Sequence, residues 1–262
     1  MKKKHSYSGF SLLELSIVLV IIGLIAGGIV AGSSMIRAAE LRALTNEFTQ
    51  YQIAVHTFRD KYLGLPGDLK NAEAFWGTAH ATDATCVTTA STGTETCNGD
   101  GDGVIEYTTS SIRSNEMFRF WQHLANAELI SGTYNGVTGS VGLVDHDYGV
   151  NSPESKLSGA GWGARWANNS SGSTAGQWAK DYTSWMTVGE DDGVWADTPF
   201  LNVDETWNID KKIDDGKPGT GRINAYSVGT CSDQSSNTAY DVAEYDLANT
   251  SGTCSVVFNF LK

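Results

Sequence analysis

The residues best equipped for chemistry lie in one short stretch, "CNGDGDGVIEY", residues 97–107. Asn98, Asp100 and Asp102 alternate as oxygen donors, Gly103 permits a sharp turn, and Val104 offers a backbone carbonyl. This is the order of the first eight positions of an EF-hand-type calcium loop, where a hard cation gathers oxygens from alternating residues. Ile105 would anchor such a loop to a core. The twelfth position, where a bidentate acid usually closes the shell, is Thr109. Glu106, Glu95 or a more distant acid must then complete it. A glycine-rich acidic turn without a metal uses the same residues.

The second oddity is Glu14, set among Leu12, Leu13, Leu15 and Ile17 at the head of a run, residues 15–36, that holds no charge. A carboxylate in apolar surroundings is costly, and inside a membrane it marks a functional site whose partner must be sought. The plainer reading leaves it at the membrane–water boundary. Other acidic stretches carry weaker signals. Asp191, Asp192 and Asp197 in "GEDDGVWAD", and Asp210, Asp214 and Asp215 in "NIDKKIDDGKPGTG", suit either a second ion or a solvated turn. His146 sits between Asp145 and Asp147, but no nucleophile motif or second histidine lies near it, so no enzyme is expected. Six of the eight tryptophans (Trp162, Trp166, Trp178, Trp185, Trp195 and Trp207) crowd one segment. They suit a core, a subunit contact or a glycan-stacking platform.

These groups need a scaffold. As a helix, residues 15–36 span about 33 Å, against a hydrocarbon core of about 30 Å. Lys2, Lys3 and Lys4 precede the run, so the positive-inside tendency keeps the start in the cytoplasm and the body outside. A cleaved secretory signal ending in "IAGGIVAGSS" is the alternative. Against it stand Glu14 and a helical pattern that continues past Arg37. There Leu41, Leu44, Phe48, Tyr51, Val55, Phe58 and Tyr62 recur at threes and fours, with Glu40, Glu47, Arg59 and Asp60 among the polar positions. "GLPGD" halts the pattern near residue 63. Downstream come a Thr/Ser/Gly-rich loop over 78–103 and a helix near 114–130 with Met117, Trp121, Leu124, Ala125 and Leu129 on one face. Strands are expected around 222–228 and 254–261, the second with Val256, Phe258 and Phe260 alternating. The implied fold class is α+β, an antiparallel sheet body (64–262) packed on the outer half of a long N-terminal helix.

Charge and cysteines narrow the setting. Thirty acids against eighteen Lys and Arg give a net charge of −12, which repels phosphates, so no nucleic acid partner is expected. Cys86, Cys97, Cys231 and Cys254 show no zinc spacing. In an exported body their cheapest pairing is Cys86–Cys97 and Cys231–Cys254; reduced, buried thiols in the cytosol are the alternative.

The segment "KKKHSYSGFSLLELSIVLVIIGLIAG" resembles the N-terminus of the prepilin class, the type IV pilins and the pseudopilins of type II secretion. It has the basic leader, the glycine, the aromatic residue, the glutamate and the long apolar helix. The resemblance implies that a membrane-embedded prepilin peptidase cuts between Gly9 and Phe10 and methylates Phe10. Residues 1–9 are then a leader, 10–63 one helix (transmembrane over about 15–36, amphipathic over 37–63), and Glu14 the fifth residue of the mature chain. The amine freed at Phe10 of a neighbouring subunit would pair with Glu14 and help set axial register. One departure is the missing helix-kinking proline of many major pilins, which leaves Gly23, Gly27, Gly28 and Gly32 as soft spots. The chain thus reads as a structural subunit of a type IV pilus-like filament. It would be a single-pass inner-membrane precursor, handed by an assembly platform to an extracellular or periplasmic fibre of identical or related subunits. A type II secretion pseudopilin, a membrane-anchored adhesin or glycan-binding module, and a secreted enzyme with a cleaved signal are the rivals.

Overall fold

The first proline of the chain is Pro66, and nothing before it forbids a continuous helix. A computed structural model describes residues 11–261 apart from 87, 108–115, 143, 175, 194 and 227. In it a single helix, α1 (Leu12–Tyr62, 51 residues), runs unbroken through Gly23, Gly27, Gly28 and Gly32. The chain divides into two compact units, Met1–Arg42 and Ala43–Lys262. The first is the apolar half of α1, long and apolar enough to cross a membrane, with Leu12, Leu13, Leu24 and Ile29 exposed. Gly9 and Phe10 lie outside the described residues.

The second unit is an α+β body. Residues 43–62 of α1 enter it through the stripe read from the sequence: Leu44, Phe48, Val55 and Phe58 are buried. Phe48 stacks on Phe258 with ring centroids 4.5 Å apart, and Tyr51 sets its edge against Trp121 and Trp162. Glu47, expected on the polar face, is instead only 7% exposed. Its carboxylate accepts from the Ser155 hydroxyl (2.8 Å), the Lys156 amide (2.8 Å) and the Trp162 indole N–H (3.2 Å). A buried carboxylate is tolerated only with such donors, and here they fasten α1 to the chain entering the sheet. Glu47→Ala strands the buried Trp162 N–H and leaves two part-buried donors unpaired, and is expected to cost about 2 kcal/mol. Denaturant melts of the full chain in detergent measure it, with Glu47→Gln falling between.

The sheet has five antiparallel strands: β1 (Ala160–Asn168), β2 (Asp181–Glu190), β3 (Leu201–Asn202), β4 (Ile223–Tyr226) and β5 (Thr253–Phe258). Their order is β1-β2-β5-β3, and β4 also pairs with β5. Thus β5 is central, with Val257 opposite Thr187 of β2 and Asn224 of β4. The alternation expected for it gives way to burial on both faces. Phe258 faces α1, while Val257 belongs to a cluster with Trp178, Tyr182, Trp185, Val228 and Ala243. The tryptophan-rich segment supplies that core and β1 and β2 themselves: Trp162, Trp178 and Trp185 are fully buried.

Short helices α2 (Ala72–Trp76) and α3 (Asp83–Cys86) precede α4 (Glu116–Asn126); α5 (Val203–Ile213) and α6 (Val228–Cys231) follow. Helix α4 lies in the expected region, but burial runs all round it from Glu116 to Leu124 rather than along one face. Its polar residues are matched individually. His123 accepts the Gly67 amide through Nδ1 (2.9 Å), so Nε2 carries the proton toward Thr96 Oγ1 (2.8 Å). Arg119 donates to the carbonyls of Cys86 and Thr89. Both disulfides form as expected, Cys86–Cys97 and Cys231–Cys254.

Candidate functional site

Two places gather the residues singled out by their chemistry. The first is the head of α1. Glu14 Oε2 accepts the Ser11 backbone N–H (2.8 Å), and the Glu14 N–H donates to Ser11 Oγ (3.2 Å). This is a reciprocal capping box, with Ser11 as N-cap and Glu14 at the third helical position. Its S-x-x-E signature is plain in "SLLE" and went unused in the sequence reading. The cap fixes the carboxylate at the first turn while leaving acceptor capacity, since an ionised carboxylate has about four lone-pair sites.

The second place is the acidic loop. Gly101 and Gly103 take left-handed backbone angles, φ 69° and 97°, and Ile105 is fully buried, its N–H donated to Ser184 of β2. The Asp100 and Asp102 side chains accept the amides two residues on (3.1 and 3.0 Å), which curls the loop. Two acids from far along the chain join it. Asp68 comes from the "GLPGD" stop and accepts the amides of Gly101, Asp102 and Gly103. Glu116, in the first turn of α4, accepts the amides of Asp100 and Glu106, each at 3.2 Å. Ligand oxygens of Asp68, Asp100 and Glu116 lie within 4.8 Å of one another, as do those of Asp100, Asp102 and Glu106. Gly67 makes the junction possible, because a Cβ there would collide with the Glu116 carbonyl.

The electrostatics follow from this crowding. Burial, then the charge of Asp68, pushes the Glu116 carboxyl up to about 9. Burial chiefly lifts Asp68 to about 6, against the pull of the Gly103 and Gly101 amides. Glu106 is raised by burial and by Asp100 and Asp102. A basin of oxygen ligands with no histidine or thiol in either cluster suits a hard cation such as calcium rather than zinc.

Not every expected ligand joins. The Asn98 side-chain oxygen accepts the Glu73 amide in α2's first turn (3.0 Å). Glu95 accepts the Gly93 amide in its own turn, and Thr109 lies outside the described residues. Asp68 and Glu116, the distant acids, had no local signal beyond the need for one. Elsewhere, Asp197 is bound to Arg165 at 2.7 Å, and Arg165 lies 3.9 Å over Trp195, which withdraws Asp197 from ion binding. Asp210, Asp214 and Asp215 do cluster. Their oxygens accept from Tyr245, Gly216, Ile223, Lys217 and Thr220, tying the end of α5 to β4. His146 is buried beside Phe118, a core histidine.

A long N-terminal helix, apolar enough to cross a membrane and opening on a capped glutamate, is joined to an α+β body, an arrangement that fits a single-pass, membrane-anchored precursor. Residues 4–30 match the family model of the prokaryotic N-terminal methylation motif. The chain therefore carries the signature of type IV pilins and pseudopilins. No curated protein and no solved structure matches it.

Proposed function

We propose that the chain is a structural subunit of a type IV pilus-like filament. Prepilin peptidase cuts it between Gly9 and Phe10 and methylates Phe10; the inner-membrane assembly platform then adds it to a fibre outside the cytoplasm. The observation that carries this reading is the methylation motif at residues 4–30 with Glu14 inside it, at the head of a continuous helix. Phe10's amine, freed by the cut, is the cation that Glu14 of a neighbouring subunit meets in the bilayer. A type II secretion pseudopilus uses the same segment and is told apart by where the fibre is found. For a glycan-binding module only Trp166, Trp195 and Trp207 of the six are left partly exposed, since Trp162, Trp178 and Trp185 are in the core.

Intact mass of the protein taken from membranes tests the processing. A chain beginning at Phe10 and carrying one methyl group supports the proposal; a start near Gly32 replaces it with secretory cleavage. Gly9→Leu is expected to leave uncut precursor, residues 1–9 still attached, as nearly all of the membrane-bound protein on an immunoblot.

Within the body we propose that Asp68, Asp100, Asp102, Glu106 and Glu116 hold a calcium ion, with the Val104 carbonyl completing the loop's contribution. What supports it is a basin of five carboxyls gathered from three parts of the chain, in two clusters that share Asp100, with Asp68, Glu106 and Glu116 raised chiefly by burial and also by their acidic neighbours.

A further inference from the structure

We infer that the two flanks of α1's body segment, residues 43–62, are complementary halves of one contact between successive copies of this chain. The cationic flank of one copy seats on the anionic flank of the next. This rests on the filament reading and names surfaces which that reading leaves open.

At about 100° per residue, Leu44, Phe48, Val55 and Phe58 form one buried stripe, with His56 and Arg59 to one side of it and Gln50, Ile53 and Thr57 to the other. Each side opens on a groove. The first, of about 700 Å³, is lined by His56, Arg59, Asp60, Leu63 and Lys70. The second, of about 780 Å³, is lined by Ile53, Glu128, Glu154 and Lys156. Asp68 borders the first and Glu47 the second, but both are buried and hydrogen-bonded inward. The exposed charges that remain are Arg59 and Lys70 against Asp60 on one flank, and Glu128 and Glu154 against Lys156 on the other. Among the described residues, none of these six makes an ion pair within the subunit.

A chain of net charge −12 repels its own copies, so close approach needs opposite charges set locally face to face. Two different surfaces of opposite sign on opposite sides of one helix suit a heterologous, head-to-tail contact, and a heterologous contact that does not close builds a helical fibre. Each groove also presents an aliphatic side chain to solvent, Leu63 (91% exposed) in the first and Ile53 (60%) in the second. The backbone adds an independent mark. Among the described residues only Leu63, Glu128 and Thr183 hold positive φ without being glycine. Leu63 (φ 59°) and Glu128 (φ 60°) lie just past the ends of α1 and α4, where glycine is the comfortable residue. Each puts a strained side chain into one of the two grooves, and neither serves the core.

The test uses full-length chain in cells that assemble the fibre, scored as sheared fibre per cell. Arg59→Glu with Lys70→Glu is expected to cut the yield about tenfold or more, as is Glu128→Lys with Glu154→Lys. All four changes together restore it to within about threefold, because the pairing is re-formed with its signs exchanged. Each variant must melt like the wild type in detergent. Normal yields from both pairs overturn the inference and assign the cationic groove to an acidic partner outside the fibre; a loss that the fourfold variant does not repair overturns it too. If the wild type itself yields no fibre, the filament reading has failed separately. Arg59→Cys with Glu128→Cys then tests the contact in membranes: a disulfide-linked dimer of the chain supports it, and monomer alone refutes it.

Discussion

Glu14→Val is expected to insert and be cut after Gly9 like the wild type, yet to lose roughly a thousandfold in assembly, so that sheared fibre falls below detection. The size follows from electrostatics. A unit-charge pair 4 Å apart at an effective dielectric near 20 is worth about 4 kcal/mol, and about 1.4 kcal/mol is a factor of ten. The capping box sharpens the experiment, because it gives Glu14 a role inside its own helix as well. Glutamine can occupy that capping position, so Glu14→Gln keeps the helix start and removes the charge. If capping were all that Glu14 did, Glu14→Gln would assemble normally. If the amine of Phe10 is its partner, Glu14→Gln fails nearly as badly as Glu14→Val. A mass starting at Phe10 in both variants is the control, and normal fibres from Glu14→Gln sink the pairing.

The legible parts of the fold were those where side-chain periodicity alone sets the element. The stripe Leu44, Phe48, Val55 and Phe58 is visible because a helix half-buried on a body must repeat at threes and fours. The disulfides were legible because each closes a local loop. The two longest strands were not. "AGWGARWAN" and "DYTSWMTVGE" mix glycine, charge and polar residues, and their partners are set by register across the sheet, Gly163 opposite Thr187 for example. Helix α5 was missed although Asn202 and Glu205 spell its capping box. Glu47 looked solvated because its donors, Ser155, Lys156 and Trp162, lie more than a hundred residues away.

The candidate sites divide the same way. Loop curvature at Gly101 and Gly103 and the anchoring of Ile105 were written locally. The completing acids were not, since only tertiary packing brings "GLPGD" and the start of α4 against the loop. Asn98 shows a further role that spacing did not reveal: its side-chain oxygen accepts the Glu73 amide of a neighbouring helix.

If the basin holds calcium as proposed, that tertiary assembly should make stability depend on calcium and pH together. In the metal-free chain burial, then the Asp68 charge, pushes the Glu116 carboxyl up to about 9, against 4.5 for a free glutamate side chain. Its folded pKa is raised, so the stability linked to that proton is complete below about pH 4.5 and is lost as pH climbs toward 9. Between pH 8 and 9 these other shifted groups are largely quiet: Asp68 and Asp210, raised to about 6 and 7, are mostly ionised by pH 8, and His123, pushed down to about 3 by burial, stays neutral. Metal-free protein is therefore expected to lose roughly 1 kcal/mol across that window, the full slope of about 1.4 kcal/mol per pH unit shrinking as Glu116 ionises. On the calcium proposal the ion takes the ionised basin and competes with the proton, so the slope is expected to flatten or reverse. At a hundredfold excess over its dissociation constant it adds about 2.7 kcal/mol, roughly 5–10 °C in Tm for a body of this size. Asp100→Ala with Asp102→Ala removes the calcium increment, while Glu116→Gln removes the metal-free slope, because an amide has no proton to lose. Melts of the full chain in detergent, with calcium or chelator at pH 7, 8 and 9, decide it. Superimposable curves across all six conditions would take both the ion and the protonated glutamate out of the account.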